Sequence, residues 1–130
     1  MNAIALACIA ALGLLLFGLG LSISGLRFRE QTLTGHSKES DNLLHKVVRA
    51  HGNTAEYAAF IAVLFLYLGS QGPAPWVVWV MVALTVSRYI VVAGLIVPRS
   101  MDTLNPLRFI GALGTYVFGA VLCFALVGAV

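Results

Sequence analysis

Charged side chains are scarce in this chain. Eight Lys or Arg and five Asp or Glu make up 10% of its 130 residues, where a soluble domain carries about 25%. A soluble fold from this composition would leave too much apolar surface wet. Cysteine is scarcer still. Cys8 and Cys123 lie far apart in apolar segments, which excludes a disulfide framework or a cysteine-based metal site. No basic run interleaved with aromatics is present, so nucleic acid is not an expected partner, despite a net charge of +3. There is no phosphate-binding glycine loop and no Ser-His-Asp arrangement. His36, His45 and His51 have no second ligand at helical spacing, so no metal site is expected.

Apolar residues are what the chain has in quantity. They make up 60% of it, and the mean hydropathy is +0.95. Four stretches, at about residues 3–26, 42–68, 75–97 and 105–127, are long enough to cross a hydrocarbon core about 30 Å thick. A single all-α domain over residues 1–130 is expected, built as a four-transmembrane-helix bundle in a lipid bilayer. The first stretch lacks a basic leader and a small-residue cleavage signal, so it reads as a retained helix. Ser40, Asp41 and Asn42 offer caps for the second helix. Pro75 and Asn105-Pro106 suit the starts of the third and fourth.

The loops indicate orientation. Loop one carries Arg27, Arg29 and Lys38, and loop three carries Arg99 with Arg108 just beyond, whereas residues 70–74 carry no charge. Positive loops face the cytoplasm. Loops one and three are therefore expected inside and both termini outside, in the inner membrane if the source is a bacterium. In the fourth helix Gly111, Thr115, Gly119 and Cys123 form a stripe of small residues, suited to close packing within the bundle or between subunits.

Against this background the charges inside the helices stand out. The second helix holds Lys46, Arg49, Asn53 and Glu56, and the third holds Arg88. A charge at the bilayer centre costs about 2.5–3.5 kcal/mol on insertion scales, so such residues are functional candidates. Arg49, Asn53 and Glu56 stand at i, i+4 and i+7, on one helical face, and Lys46 extends that face toward loop one. At about 1.5 Å per residue, Arg49 lies about 10 Å, Glu56 about 20 Å and Arg88 about 13 Å from the ends nearest loops one and three. Arg108 opens the fourth helix on the same side. Excess positive charge in an apolar wall suits an anion, and arginine forks suit carboxylates. Asn53 and Glu56 add acceptors for an ammonium or an amide. A small zwitterion with several carboxylates fits this inventory. An Arg49–Glu56 or Arg88–Glu56 pair holding helices in register is the structural alternative.

Residues 49–57 read Arg-Ala-His-Gly-Asn-Thr-Ala-Glu-Tyr. This resembles the second-helix signature of the MAPEG family, the membrane-associated proteins in eicosanoid and glutathione metabolism. The pattern is an arginine, asparagine four residues on and glutamate three further, followed by an aromatic. Ser87-Arg88 in the third helix, the arginine opening the fourth, the length and the four-helix plan extend the resemblance over essentially the whole chain. It is greatest toward the small bacterial members.

The resemblance implies a homotrimer that binds glutathione as co-substrate between subunits near the cytoplasmic face. By the same resemblance Arg49, Asn53, Glu56, Tyr57 and Arg88 would contact glutathione. Arg108 would be catalytic and stabilise the thiolate, which attacks a small hydrophobic electrophile or peroxide entering from the bilayer. The chain departs from many eukaryotic members at three places. It has Gly52 where they carry a second arginine, Ala59 where they carry proline, and no tyrosine or histidine within residues 90–96.

Three functions are consistent with this reading. One is a glutathione-dependent transferase or peroxidase. Another is a non-catalytic protein that binds glutathione or a lipid anion, which the absent third-helix tyrosines favour. The last is a small multidrug-type exporter. Such exporters use an acid in the first helix, and here no ionisable side chain precedes Arg27.

Overall fold

A computed structural model describes residues 1–128. Four helices account for most of them: α1 (Ala3–Arg29), α2 (Leu43–Ser70), α3 (Pro75–Ile96) and α4 (Pro106–Val127). All four are long and apolar enough to cross a membrane. The 28 residues of α2 span about 42 Å at 1.5 Å per residue, which is more than the hydrocarbon core alone requires. Among the described residues there is no strand.

The helix starts follow from local chemistry. A first turn leaves backbone amides without partners, and short polar side chains fill them. Asn2 Oδ1 accepts from the amides of Ile4 (2.9 Å) and Ala5 (3.2 Å). Of the three candidates before α2, Asn42 is the cap, accepting from the His45 amide at 2.9 Å. Asn105 Oδ1 caps α4 through the Leu107 amide at 2.9 Å. Pro75 and Pro106 open α3 and α4. Loop two turns on Gly72, whose φ of 67° favours a residue without a Cβ.

The helices form an open arc. α2 and α3 are central, α1 lies mainly along α2, α4 lies mainly along α3, and α1 and α4 do not touch. Two apolar clusters hold the arc together. Ala5, Leu12, Phe65, Met81, Leu84 and Leu122 meet toward loop two. Leu19, Ile23, Leu44, Val47, Val91 and Leu95 meet toward loops one and three. Large apolar side chains such as Leu14, Phe17, Trp79 and Phe124 are exposed on the outer faces, as expected where lipid replaces water as solvent.

Close approach of α3 and α4 depends on glycine. A Cβ on Gly111 would lie 2.6 Å from the Val91 nitrogen and 2.9 Å from the Ser87 carbonyl oxygen. The small-residue stripe of α4 is therefore divided. Gly111 and Thr115 are buried against α3, whereas nothing lies within 4 Å of where a Gly119 Cβ would stand.

Loops one and three meet at one end of the bundle. The Ser40 and Ser100 hydroxyls are 2.8 Å apart, and the Met101 amide donates to the Ser40 carbonyl at 3.0 Å. These contacts fasten the α1–α2 hairpin to the α3–α4 hairpin.

Candidate functional site

A polar cleft opens between α2, α3 and α4 in the half of the bundle nearest loops one and three. Each helix contributes one face. α2 gives Arg49, Asn53 and Tyr57, at i, i+4 and i+8. α4 gives Arg108, Ala112, Thr115 and Tyr116, which includes the same i, i+4, i+8 spacing. α3 forms the floor with Arg88, Val91 and Leu95. The two walls therefore match. Each has an arginine toward the loop end and a tyrosine two turns deeper, and the Tyr57 and Tyr116 ring centroids are 6.3 Å apart.

Arg88 is the best-held member, only 2% exposed. Its Nη2 donates to both oxygens of Asn53, the side-chain Oδ1 at 2.7 Å and the backbone carbonyl at 2.9 Å. Its Nη1 donates to Thr115 Oγ1 at 3.4 Å. The guanidinium carbon is 4.8 Å from the Tyr57 ring centroid, within cation–π range. Its Nε has no partner. Neutral oxygens and an aromatic face thus satisfy much of the guanidinium's donor capacity without neutralising its charge.

Five of the six expected site residues line this one cleft: Arg49, Asn53, Tyr57, Arg88 and Arg108. Glu56 does not. It is exposed on the flank of α2 and is not among the partners of Arg88. Angle alone does not separate it: at about 100° per residue, Glu56 lies about 60° from Asn53 and 100° from Tyr57 but only about 20° from Arg49, which lines the cleft from nearer the loops. The cleft wall accordingly contains three guanidiniums and no carboxylate.

Lys46 lies one turn nearer loop one, as helical spacing predicts, and does not line the cleft. It is buried, and its Nζ donates to the Pro98 carbonyl at 2.8 Å, just past the end of α3. It shares the helical face but stands a turn too near the loop, where α3 has already ended and free carbonyls attract a cation. His51 is turned toward α1, its ring 3.5 Å from where a Gly20 Cβ would stand.

Tyr116 and Thr115 are cleft residues that sequence reasoning missed. The signal for Tyr116 was present in the repeat of an arginine followed eight residues later by a tyrosine, in α2 and again in α4.

The cleft encloses about 150 Å³. An apolar depression of about 500 Å³ at the opposite end, beside Trp76 and Phe124, contains no ionisable side chain. It offers volume without chemistry, and the smaller cleft is the candidate site.

Comparison with curated proteins and with solved structures gave no match in either set. The MAPEG family model matches residues 5–128, which takes in all four helices but for the first two residues of α1, and every residue of the cleft; the chain belongs to the MAPEG family.

Proposed function

We propose that the cleft binds glutathione and that the protein is a membrane-bound glutathione-dependent transferase or peroxidase acting on hydrophobic electrophiles. One observation carries this reading: Arg49, Arg88 and Arg108 share a cleft whose wall holds no carboxylate. Such a site favours an anion, and glutathione brings two carboxylates. Guanidinium–carboxylate pairs are strong because charge and fork geometry match. Arg49 and Arg88, with Asn53 and Tyr57, would bind the carboxylates and amides. Glu56, at the flank, would take the ammonium.

Arg108 would hold the sulfur. A free thiol is mostly protonated at neutral pH, and an adjacent cation shifts it toward the thiolate. The thiolate then attacks. With an electrophile R–X, a sulfur–carbon bond forms and X leaves with the bonding electrons. With a hydroperoxide, sulfur takes the terminal oxygen and the alkoxide leaves, to be protonated.

One copy offers about 150 Å³, where small-molecule pockets run from about 300 Å³ upward. Arg49, Glu56 and Arg108 are also exposed on the open side. Both facts support a site completed by a neighbouring subunit in a homotrimer. The basic loops support a cytoplasmic position for this end, with the termini outside.

The absence of tyrosine and histidine from residues 90–96 favours a second reading, a non-catalytic member that binds glutathione or a lipid anion. Tyr57 and Tyr116 weigh against it, because they bring phenols to the cleft from α2 and α4 instead.

The test is equilibrium binding of glutathione to purified, detergent-solubilised protein. Saturable binding is expected, weakened about tenfold or more by Arg49→Ala, equivalent to about 1.4 kcal/mol. No binding at millimolar glutathione would sink the proposal. Binding without turnover across hydrophobic electrophiles and peroxides would select the second reading.

A further inference from the structure

The end of α1 carries a second polar feature, on a helix that gives the cleft no residue. The Gln31 amide donates to the Phe28 carbonyl at 3.3 Å, and the Thr32 amide to the Arg27 carbonyl at 3.0 Å. This pair of bonds folds a chain back over its last helical turn. The turn needs a left-handed residue, and Gln31 supplies it with φ 53°, where glycine would be easier. Thr32 and Leu33 are thereby laid beside Ser24, Arg27 and Phe28. Together with Gln31 they line an open pocket of about 590 Å³.

Arg27 is the one charged side chain of this pocket, and its wall holds no carboxylate. The Arg27 Nε is buried without a partner. Gln31 Nε2 donates to the Phe28 carbonyl at 2.8 Å and has a second N–H to spare. Beside these donors stand Phe28 and Leu33, 81% and 94% exposed. Donors for an anion next to bare apolar side chains fit a ligand that is charged at one point and apolar beside it. The depth agrees. Arg27 lies about 36 Å beyond Ala3 at 1.5 Å per residue, and the hydrocarbon core is about 30 Å thick. The guanidinium therefore stands at headgroup level when the first turn of α1 starts at the opposite edge of the core.

We propose that this pocket binds the phosphate of an anionic phospholipid, with Arg27 as its principal donor and Phe28 and Leu33 packed against the acyl chains. A free phosphate would satisfy Arg27 and leave both apolar side chains uncovered, whereas a lipid covers them. A zwitterionic headgroup brings its own ammonium and gains less from a lone guanidinium. The site is independent of the glutathione reading, since it shares no residue with the cleft.

The test is native mass spectrometry of the detergent-purified protein, titrated with phosphatidylglycerol or with phosphatidylcholine of the same acyl chains. In detergent no charged bilayer surrounds the protein, so a site is separated from general attraction to basic loops. Wild type is expected to bind phosphatidylglycerol about fivefold or more tightly than phosphatidylcholine, the contribution of about one basic side chain. Arg27→Gln should bring that ratio close to one. Leu33→Asp, which sets a carboxylate at the rim, should lower it about as far. Arg29→Gln, outside the pocket wall, should leave it within about twofold.

Equal binding of the two lipids by wild type would overturn the inference. So would an equal fall for Arg27→Gln and Arg29→Gln, which would mean general attraction. Displacement of phosphatidylglycerol by glycerol phosphate at similar concentration would make the pocket a site for free anions and overturn the lipid assignment. If Arg27→Gln fails to fold, Leu33→Asp decides alone, because a side chain 94% exposed holds no packing to lose, and an unchanged ratio there would sink the proposal.

Discussion

Arg88 carries its charge into the middle of the bundle, where two oxygens of Asn53, the Thr115 hydroxyl and the Tyr57 ring receive it. Hydrogen bonds to a charged group contribute about 1.5–3 kcal/mol each. Asn53→Ala removes one and keeps the backbone carbonyl, so it is expected to cost about 2 kcal/mol in thermal unfolding in detergent. Arg88→Met should behave differently. It removes a buried cation that no carboxylate neutralises, and release of its desolvation cost, several kcal/mol per buried ion, offsets the hydrogen bonds lost. Its melting temperature is expected to hold or rise while glutathione affinity falls. A clear drop in melting temperature for Arg88→Met would mean that the cation serves the fold first.

Legibility at this scale was uneven. Helical spacing put Arg49, Asn53 and Glu56 on one face, of which the first two line the cleft, and Tyr57 came from the family resemblance alone. The exclusion of Glu56 was not readable, because spacing locates residues relative to one another and leaves the neighbour's direction open. Lys46 shows the same gap along the axis: its face was readable, but that α3 ends beside it was not.

For the elements, the contact between α3 and α4 is set by the absence of side chains. Gly111→Ala would drive a methyl group into backbone atoms of Val91 and Ser87. Backbone cannot rotate aside, so the helices must separate, at a cost of about 1–3 kcal/mol. The shift would also carry Arg108, one turn away, from its place opposite Arg49, so glutathione affinity should fall as well. Gly119→Ala meets nothing and should be neutral, or stabilising by about 0.5–1 kcal/mol through the unfolded chain. Equal melting temperatures for the two variants would contradict this account of the packing. The caps at Asn42 and Asn105 and the prolines were legible because they depend on adjacent residues alone. The division of the α4 stripe was not, since which half faces α3 depends on how the hairpin closes.

In the whole molecule, the contact between loops one and three puts both at one end, and their charge supports a cytoplasmic position. This can be checked by labelling intact cells with a membrane-impermeant maleimide, in a background lacking Cys8 and Cys123. Gln71→Cys in loop two is expected to label from outside and Ser37→Cys in loop one only after lysis. The reverse pattern would invert the proposed orientation. The four-helix membrane plan was readable from hydropathy, because a span need only be long and apolar. The open arc was not, because nothing in composition says that α1 and α4 stay apart.

The apolarity of the four helices is unevenly shared. The best window of α2 has a mean hydropathy of only 1.2, against 2.6 for α1. α2 holds Lys46, Arg49 and Glu56, each costing about 2.5–3.5 kcal/mol if left near the bilayer centre. During synthesis α2 emerges before α3 and α4, the helices that later surround its polar face. Alone in lipid it would leave those charges unpartnered. α1, which lies along most of it, is the partner already made. The first two helices are therefore expected to leave the insertion channel as a pair, so that the segment carrying much of the cleft owes its place in the membrane to a helix that lends the cleft no residue.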